Sequence, residues 1–435
     1  MLRNKRGEDG FWCSTGPGFE PWDGGVRFRQ MMGWLRGRRS LRLPPTFDPM
    51  EITAPTITLA NRRRVRFRAL RYLITFLAPA WGIVGLLGHG WWTWALPLHA
   101  FFLVPLLEAL LTHPPDNLND EEERAALADP LFDALLYVLV PLQWGILILF
   151  LFQVGEAGLS AWEIAGRVAS MGILCGIYGI NVAHELGHRA KRWERDLGRA
   201  LLLTSLYMHF IIEHNRGHHR RVATPDDPAS ARYGEWLYAF WFRSIVFGFV
   251  SAWRIEAERL RKEGHAPYGL RNEMLHALVW QVALLAGIAW VFGPFTVLAF
   301  VAAALIGILL LETVNYIEHY GLRRTRDEKG HYRRVQHVHS WNSDHRLGRL
   351  TLFELTRHSD HHWKASRPYH VLRSVDRAPQ LPTGYPGMML MSLLPPVFFA
   401  VMHPRIKALA AMDPDLRLAM EDKDLVLGEA TPSTP

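Results

Sequence analysis

The chain has 435 residues, 49% of them hydrophobic, and 49 Lys and Arg against 41 Asp and Glu give a net charge of +8. Length alone allows two or three soluble domains. The apolar residues, however, gather into runs of roughly 20, the length that crosses a hydrocarbon core of about 30 Å, which excludes an ordinary soluble protein. Basic residues flank those runs, so the positive charge points to membrane topology and anionic lipid, with no nucleic acid implied. The two cysteines, Cys13 and Cys175, lie far apart and exclude both a disulfide framework and a Cys-x-x-Cys motif.

Residues 1–60 are polar, rich in Gly and Arg, and lack a long periodic segment. They are expected to form a disordered or weakly membrane-associated N-terminal extension, and Met50 offers an alternative start for the native protein. The charged opening Met1-Leu-Arg-Asn-Lys-Arg is followed by no apolar run, so a cleavable signal peptide is not expected and the first span serves as an anchor. Six spans are predicted, at 71–89, 92–112, 132–153, 163–183, 275–292 and 295–316. The fold class is all-α: an integral membrane bundle of about six transmembrane helices within a domain covering 61–410, with 411–435 as a C-terminal tail. The apolar stretch 236–250 is interrupted by Arg243, and 387–402 is broken by Pro395-Pro396. Both are read as interfacial or partly buried rather than spanning, with an additional spanning helix as the alternative.

The connections 88–92, 155–163 and the turn at Gly293-Pro294 contain no Lys or Arg. The opposite side carries Arg62, Arg63, Arg64, Arg66, Arg68 and Arg71, the loop 113–131, the segment 184–274 and everything after Glu318. The positive-inside rule puts this side, and with it both termini, in the cytoplasm. Trp91, Trp92, Trp94 and Trp162 fall at the outer ends, where indoles favour the interface.

Nine of the 21 histidines occupy four short motifs at or just beyond helix ends on the expected cytoplasmic side. They are His184 and His188; His214, His218 and His219; His319; and His358, His361 and His362. Neutral imidazole is the commonest transition-metal ligand. Nine are too many for one zinc and about right for two metal ions. On a helix, His184 and His188 share a face. His358, His361 and His362 are expected to project to one side, as are His214 and His218, with His219 offset toward a second metal. Glu185, Glu213, Glu318 and Asp360 are candidates for orienting ligating imidazoles through their second nitrogen. The remaining histidines read as solvated or satisfied. His184-Glu-Leu-Gly-His188 also fits the zinc-protease pattern, with Glu185 as general base, but that reading leaves seven clustered histidines without a role. A metal-binding sensor or transporter would place its ligands inside the spans, where these are not.

The four motifs resemble those of the membrane alkane monooxygenases, or alkane ω-hydroxylases, which group with fatty-acid desaturases and xylene monooxygenase as integral-membrane diiron enzymes. The similarity runs on into Val222-Ala-Thr-Pro-Asp-Asp-Pro-Ala-Ser, Asn315-Tyr-Ile-Glu-His-Tyr-Gly, His339-Ser-Trp-Asn-Ser-Asp and Pro379-Gln-Leu-Pro-Thr-Gly-Tyr-Pro-Gly-Met. The third box departs from the usual pattern, with Leu355-Thr356 before Arg357 and Trp363-Lys364 after His362. The resemblance implies that the nine histidines bind two iron ions, with O2 as co-substrate, in a multi-pass protein of the bacterial inner membrane. It further implies hydroxylation of n-alkanes to 1-alkanols, or of acyl chains or alkyl aromatics in a related enzyme. The chain has no Rossmann glycine signature and too few cysteines for a rubredoxin centre. A separate rubredoxin with its reductase is therefore the implied donor, and Arg189, Lys191, Arg192, Arg220, Arg221, Arg323, Arg324 and Arg326 are candidates for steering it. The alkane substrate would come from the surrounding membrane lipids.

Overall fold

A computed structural model describes residues 58–111 and 114–418. Most of the expected N-terminal extension, Cys13, His113 and the end of the tail lie outside the described residues. Among the described residues, five helices are long and apolar enough to cross a membrane. They are α1 (Leu59–Leu87), α2 (Gly90–Leu110), α4 (Leu131–Gln153), α5 (Ala161–Gly187) and a 47-residue helix, Glu273–His319. This last helix is broken at Gly293, whose φ of +83° is open to glycine, and Pro294 follows. Its two halves, α9 (273–292) and α10 (294–319), run in opposite directions. Phe292 meets Phe152 at the far end of α4, while Glu273 pairs with Arg216 and His319 faces His218 at the other end of the bundle. Six crossings result, as the sequence pattern suggests.

Local chemistry sets several boundaries. Thr58 caps α1, and Ser160 with Glu163 forms a reciprocal capping box at α5, as Asn119 and Glu122 do at α3 (Asp120–Leu127). The basic start of α1 is helical rather than a loop, because Arg64, Arg68 and Arg71 find Glu122 and Asp116 beside α3. At the far end, buried Arg167 clamps Glu156 at 2.9 Å and the Gly88 carbonyl at 3.1 Å. There Trp162 stacks on Trp94 with ring centres 4.4 Å apart.

The segment after α5 does not stay outside the bundle. Helix α6 (Arg192–Leu203) packs its Leu201 and Leu202 inward, and the turn behind it reaches the middle of the spans. Gln143 of α4 donates to the Thr204 hydroxyl at 3.2 Å, Ser205 donates to the Cys175 carbonyl at 3.0 Å, and the Met208 N–H donates to Gln281 at 3.0 Å. The backbone N–H groups of residues 204–208 all find acceptors, which is the condition for irregular backbone at that depth. The chain then climbs back through α7 (210–221). The interrupted stretch at 236–250 opens a 26-residue helix, α8 (Leu237–Lys262), which is not among the five membrane candidates. After His319 come β1 (Leu322–Arg324), α11 (Arg346–Thr351), α12 (His358–Trp363), α13 (Tyr385–Ser392) and α14 (Pro395–Met412). Strand β2 (Leu416–Leu418), at the start of the expected tail, pairs antiparallel with β1.

Candidate metal centre

The four histidine motifs converge from α5, α7, α10 and α12, and the nine imidazoles sort into two groups. His184, His188, His214, His219 and His361 form one; His218, His319, His358 and His362 form the other. His184 and His188 share a face as expected. The other two motifs are divided differently from a plain α-helical expectation. Residues His214–His218 make a π-helical turn, and its wider winding aligns positions i and i+5. His214 and His219 therefore join one group, with Nε2 atoms 2.9 Å apart, and His218 turns to the other. On α12 the i, i+4 pair His358 and His362 stays together at 2.8 Å, while His361 crosses to the first group, 3.0 Å from His184.

Donor chemistry tests whether these residues fit metal. The facing atoms are all Nε2, at 2.9–3.3 Å in the first group and 2.8–3.2 Å in the second. Two ligands bound at right angles to a metal at about 2.1 Å are themselves about 3.0 Å apart. Hydrogen bonds cannot satisfy the set, since a neutral imidazole has one N–H and one lone pair. Burial, then the charge of neighbouring rings, holds His214, His219, His358, His361 and His362 well below the ordinary 6.5. These rings are neutral at pH 7, the form that binds metal.

The carboxylates divide between roles. Glu185 pairs with Arg189 at 3.0 Å and accepts from the Tyr369 N–H. Glu213 is held by Arg221 at 2.6 Å and by the Ser251 hydroxyl; burial, then the Asp227 charge, pushes it up to about 7. Asp360 binds Arg367, the Arg373 N–H and His337, anchoring α12. Glu318 alone among the four approaches a clustered ring: its Oε2 lies 3.1 Å from His358 Nε2. That nitrogen faces the metal space, so Glu318 stands among the donors rather than behind a ring. Tyr385 donates to the other Glu318 oxygen at 2.6 Å.

Two contributors escape the sequence argument. His218 Nδ1–H donates to Asp227 at 2.9 Å, and Asp227 also accepts from Ser230. This fixes the tautomer that aims His218 Nε2 at its group. Burial opposes charge on both partners; their attraction outweighs it, raising His218 and holding Asp227 at about 2. The signal was Asp226-Asp227-Pro228, an acid following the second motif in a proline-bounded turn. The other is Tyr385, inside Gly384-Tyr385-Pro386.

A narrow apolar cavity adjoins the centre. Ile177, Leu310, Val314, Leu355 and Met389 line it, together with Asn181, whose amide is satisfied by the Leu352 carbonyl, and Tyr385. Three of its walls are thus the turns immediately preceding His184, His319 and His358.

Comparison with known proteins places this arrangement. The fatty acid desaturase family model matches residues 160–391. Alkane 1-monooxygenase 1 of Pseudomonas aeruginosa is 41% identical over 322 residues, covering 73% of this chain and 84% of that protein. The chain belongs to the alkane 1-monooxygenase family. Alkane 1-monooxygenase 1 of Alcanivorax borkumensis is 36% identical over 379 residues, 83% of this chain and 93% of its own. The xylene/toluene monooxygenase hydroxylase component of Pseudomonas putida is 29% identical over 336 residues, 76% and 87%. Against the family background, the buried positions of Arg323 and Arg324, 5% and 8% exposed, leave Lys191, Arg192, Arg220 and Arg326 as the exposed members of the basic set.

Proposed function

We propose that this protein hydroxylates medium- or long-chain n-alkanes to 1-alkanols, using O2 and electrons from a separate rubredoxin. Two iron ions would be held by the nine histidines, on the cytoplasmic side of a bacterial inner membrane. The observation that carries this reading is the juxtaposition of two groups of imidazole nitrogens, most of them buried, with an apolar cavity walled by the turns that precede three of the motifs. When bound, the irons supply the reductive activation of O2 that no amino-acid side chain performs.

The chain's own residues do the rest. His184, His188, His214, His219 and His361 hold one ion. His218, His319, His358 and His362 hold the other, with Glu318 beside them. Asp227 orients His218, and Tyr385 holds Glu318. A saturated chain has no polar handle, so the cavity walls must position it by length and width, with each methylene worth about 1–3 kcal/mol. The Asn181 amide nitrogen donates to the Leu352 carbonyl and the Tyr385 hydroxyl to Glu318, which leaves the cavity wall predominantly apolar.

The test is product analysis from iron-loaded membranes given a rubredoxin system and octane, hexadecane, xylene or an acyl lipid. The 1-alkanol should dominate and require O2. Preference for xylene or the acyl lipid would move the assignment to a related hydroxylase. A Cβ at Gly176 would meet Leu310 at 3.5 Å, an ordinary contact. Gly176→Ala should therefore be tolerated, narrow the cavity and shift preference toward shorter chains; an unchanged length profile would remove this cavity from the substrate path.

A further inference from the structure

A second site opens on the flank of the bundle. The re-entrant hairpin of α6 and α7 leaves a groove of about 830 Å3 against the first turns of α9. Its mouth holds Arg192, Arg195, Arg199 and Arg216. Its floor continues over Leu203, Met208 and Ile211 to Trp280, which is 60% exposed on a membrane-spanning helix. From Glu273 at the mouth to Trp280 is two helical turns, about 10 Å at 1.5 Å per residue.

The mouth is net positive. Arg199 and Arg216 share Glu273 at 3.3 and 3.0 Å, and Arg199 also meets Asp196 at 2.6 Å. Glu256, which binds Arg216, is matched by Arg259. Arg195 donates to the Arg189 and Ala190 carbonyls, and Arg192 approaches Asp196 only to 3.7 Å, its side chain 86% exposed. Four guanidinium groups thus face two lining carboxylates. None of the nine histidines lines this groove.

We propose that this groove binds an anionic phospholipid, its phosphate among Arg192, Arg195 and Arg199 and an acyl chain along Leu203, Met208 and Trp280. Charge complementarity favours a headgroup of net negative charge over a zwitterionic one, and guanidinium is suited to phosphate oxygens. The continuous apolar floor at the depth of the spans distinguishes a lipid from a free anion. Ile211 lies on the same floor one turn before His214, so an occupied groove braces the hairpin that carries three of the nine histidines.

Lipid retention by the detergent-purified full chain, read by native mass spectrometry, tests this independently of iron and turnover. Phosphatidylglycerol should be retained about ten-fold more than phosphatidylcholine of the same chains. Arg192→Gln, at an exposed side chain that leaves folding intact, should weaken that preference, and adding Arg195→Gln should abolish it. Lys329→Gln, exposed outside the groove, should leave it unchanged, and Trp280→Ala should lower retention of both lipids. Equal retention of the two lipids, an unaltered preference in the double variant, or displacement of phosphatidylglycerol by millimolar inorganic phosphate would each overturn the proposal.

Discussion

The two histidine groups are built from the same ligand and set in different surroundings. Beside the five-histidine group the nearby acid Glu185 is already committed to Arg189. The four-histidine group keeps two carboxylates against its rings, Asp227 on His218 and Glu318 on His358. A cation in the first is held by geometry and neutral nitrogen alone. One in the second is also compensated by negative charge. The contrast makes the pair chemically unequal although α7 and α12 each supply both groups.

Ligand removal should break this comparison most severely. His361→Ala and His362→Ala, adjacent on α12, should empty different groups: each is expected to lose one metal ion per chain and to lower turnover by at least about a thousand-fold. Metal analysis alongside product assays checks this, and loss of both ions from either variant would merge the groups into one site. A support common to both comes next. Glu354 is buried against Arg349 at 2.7 Å and Arg357 at 3.3 Å and accepts from Tyr72, and Arg357 leads directly into α12. Glu354→Gln should destabilise the protein by about 3–5 kcal/mol by stranding buried guanidinium groups, and should weaken both groups equally. Burial raises the Glu354 carboxyl, but Arg349 and Arg357 overcome it and hold it at about 2, below the ordinary 4.5. Its folded pKa is depressed, so its stabilisation is fully present above about 4.5 and is lost as pH falls toward 2. The parent's acid unfolding should steepen across that window, and the Gln variant's should not.

Asp227→Asn should act on one group only, lowering metal affinity there by about 10–100-fold and leaving the five-histidine group intact; calorimetric titration of metal into the apo-protein resolves the two events. The smallest effect is expected from Tyr385→Phe, which strips a buried donor from Glu318 at a cost of about 1–3 kcal/mol in stability. It should broaden the four-histidine signal in spectra of the metal-loaded protein without changing its stoichiometry. Identical spectra would make Tyr385 a packing residue.

Much of this architecture is legible in the sequence because its causes are local. Runs of apolar residues mark the spans, Gly293-Pro294 marks the reversal, and the spacing of His184 and His188 marks a shared face. What stays hidden depends on winding and on distant partners. A π-helical turn at 214–218 reassigns His218, and no α-helical spacing rule foresees it. Apolar Leu201-Leu202-Leu203 is too short to announce a span, and only the bonds of the following turn, Thr204 with Gln143 and Met208 with Gln281, reveal that the segment re-enters the bundle. The carboxylates are indistinguishable in the sequence for a related reason: Glu318 and Glu185 each adjoin a histidine, and only the fold shows one turned toward the ring nitrogens and the other toward Arg189. The charge of Arg323 and Arg324 was visible, but their burial in the β1–β2 pairing was not.

The central proposal for this protein is that nine imidazoles make two separate iron sites of five and four ligands. Anaerobic titration of ferrous iron into the purified apo-protein, followed by iron spectroscopy, tests it directly. Two ions per chain should bind in distinguishable nitrogen-rich environments, with His361→Ala erasing one signal and His362→Ala the other. Saturation at a single ion, or a protein that is active with zinc alone, would contradict it.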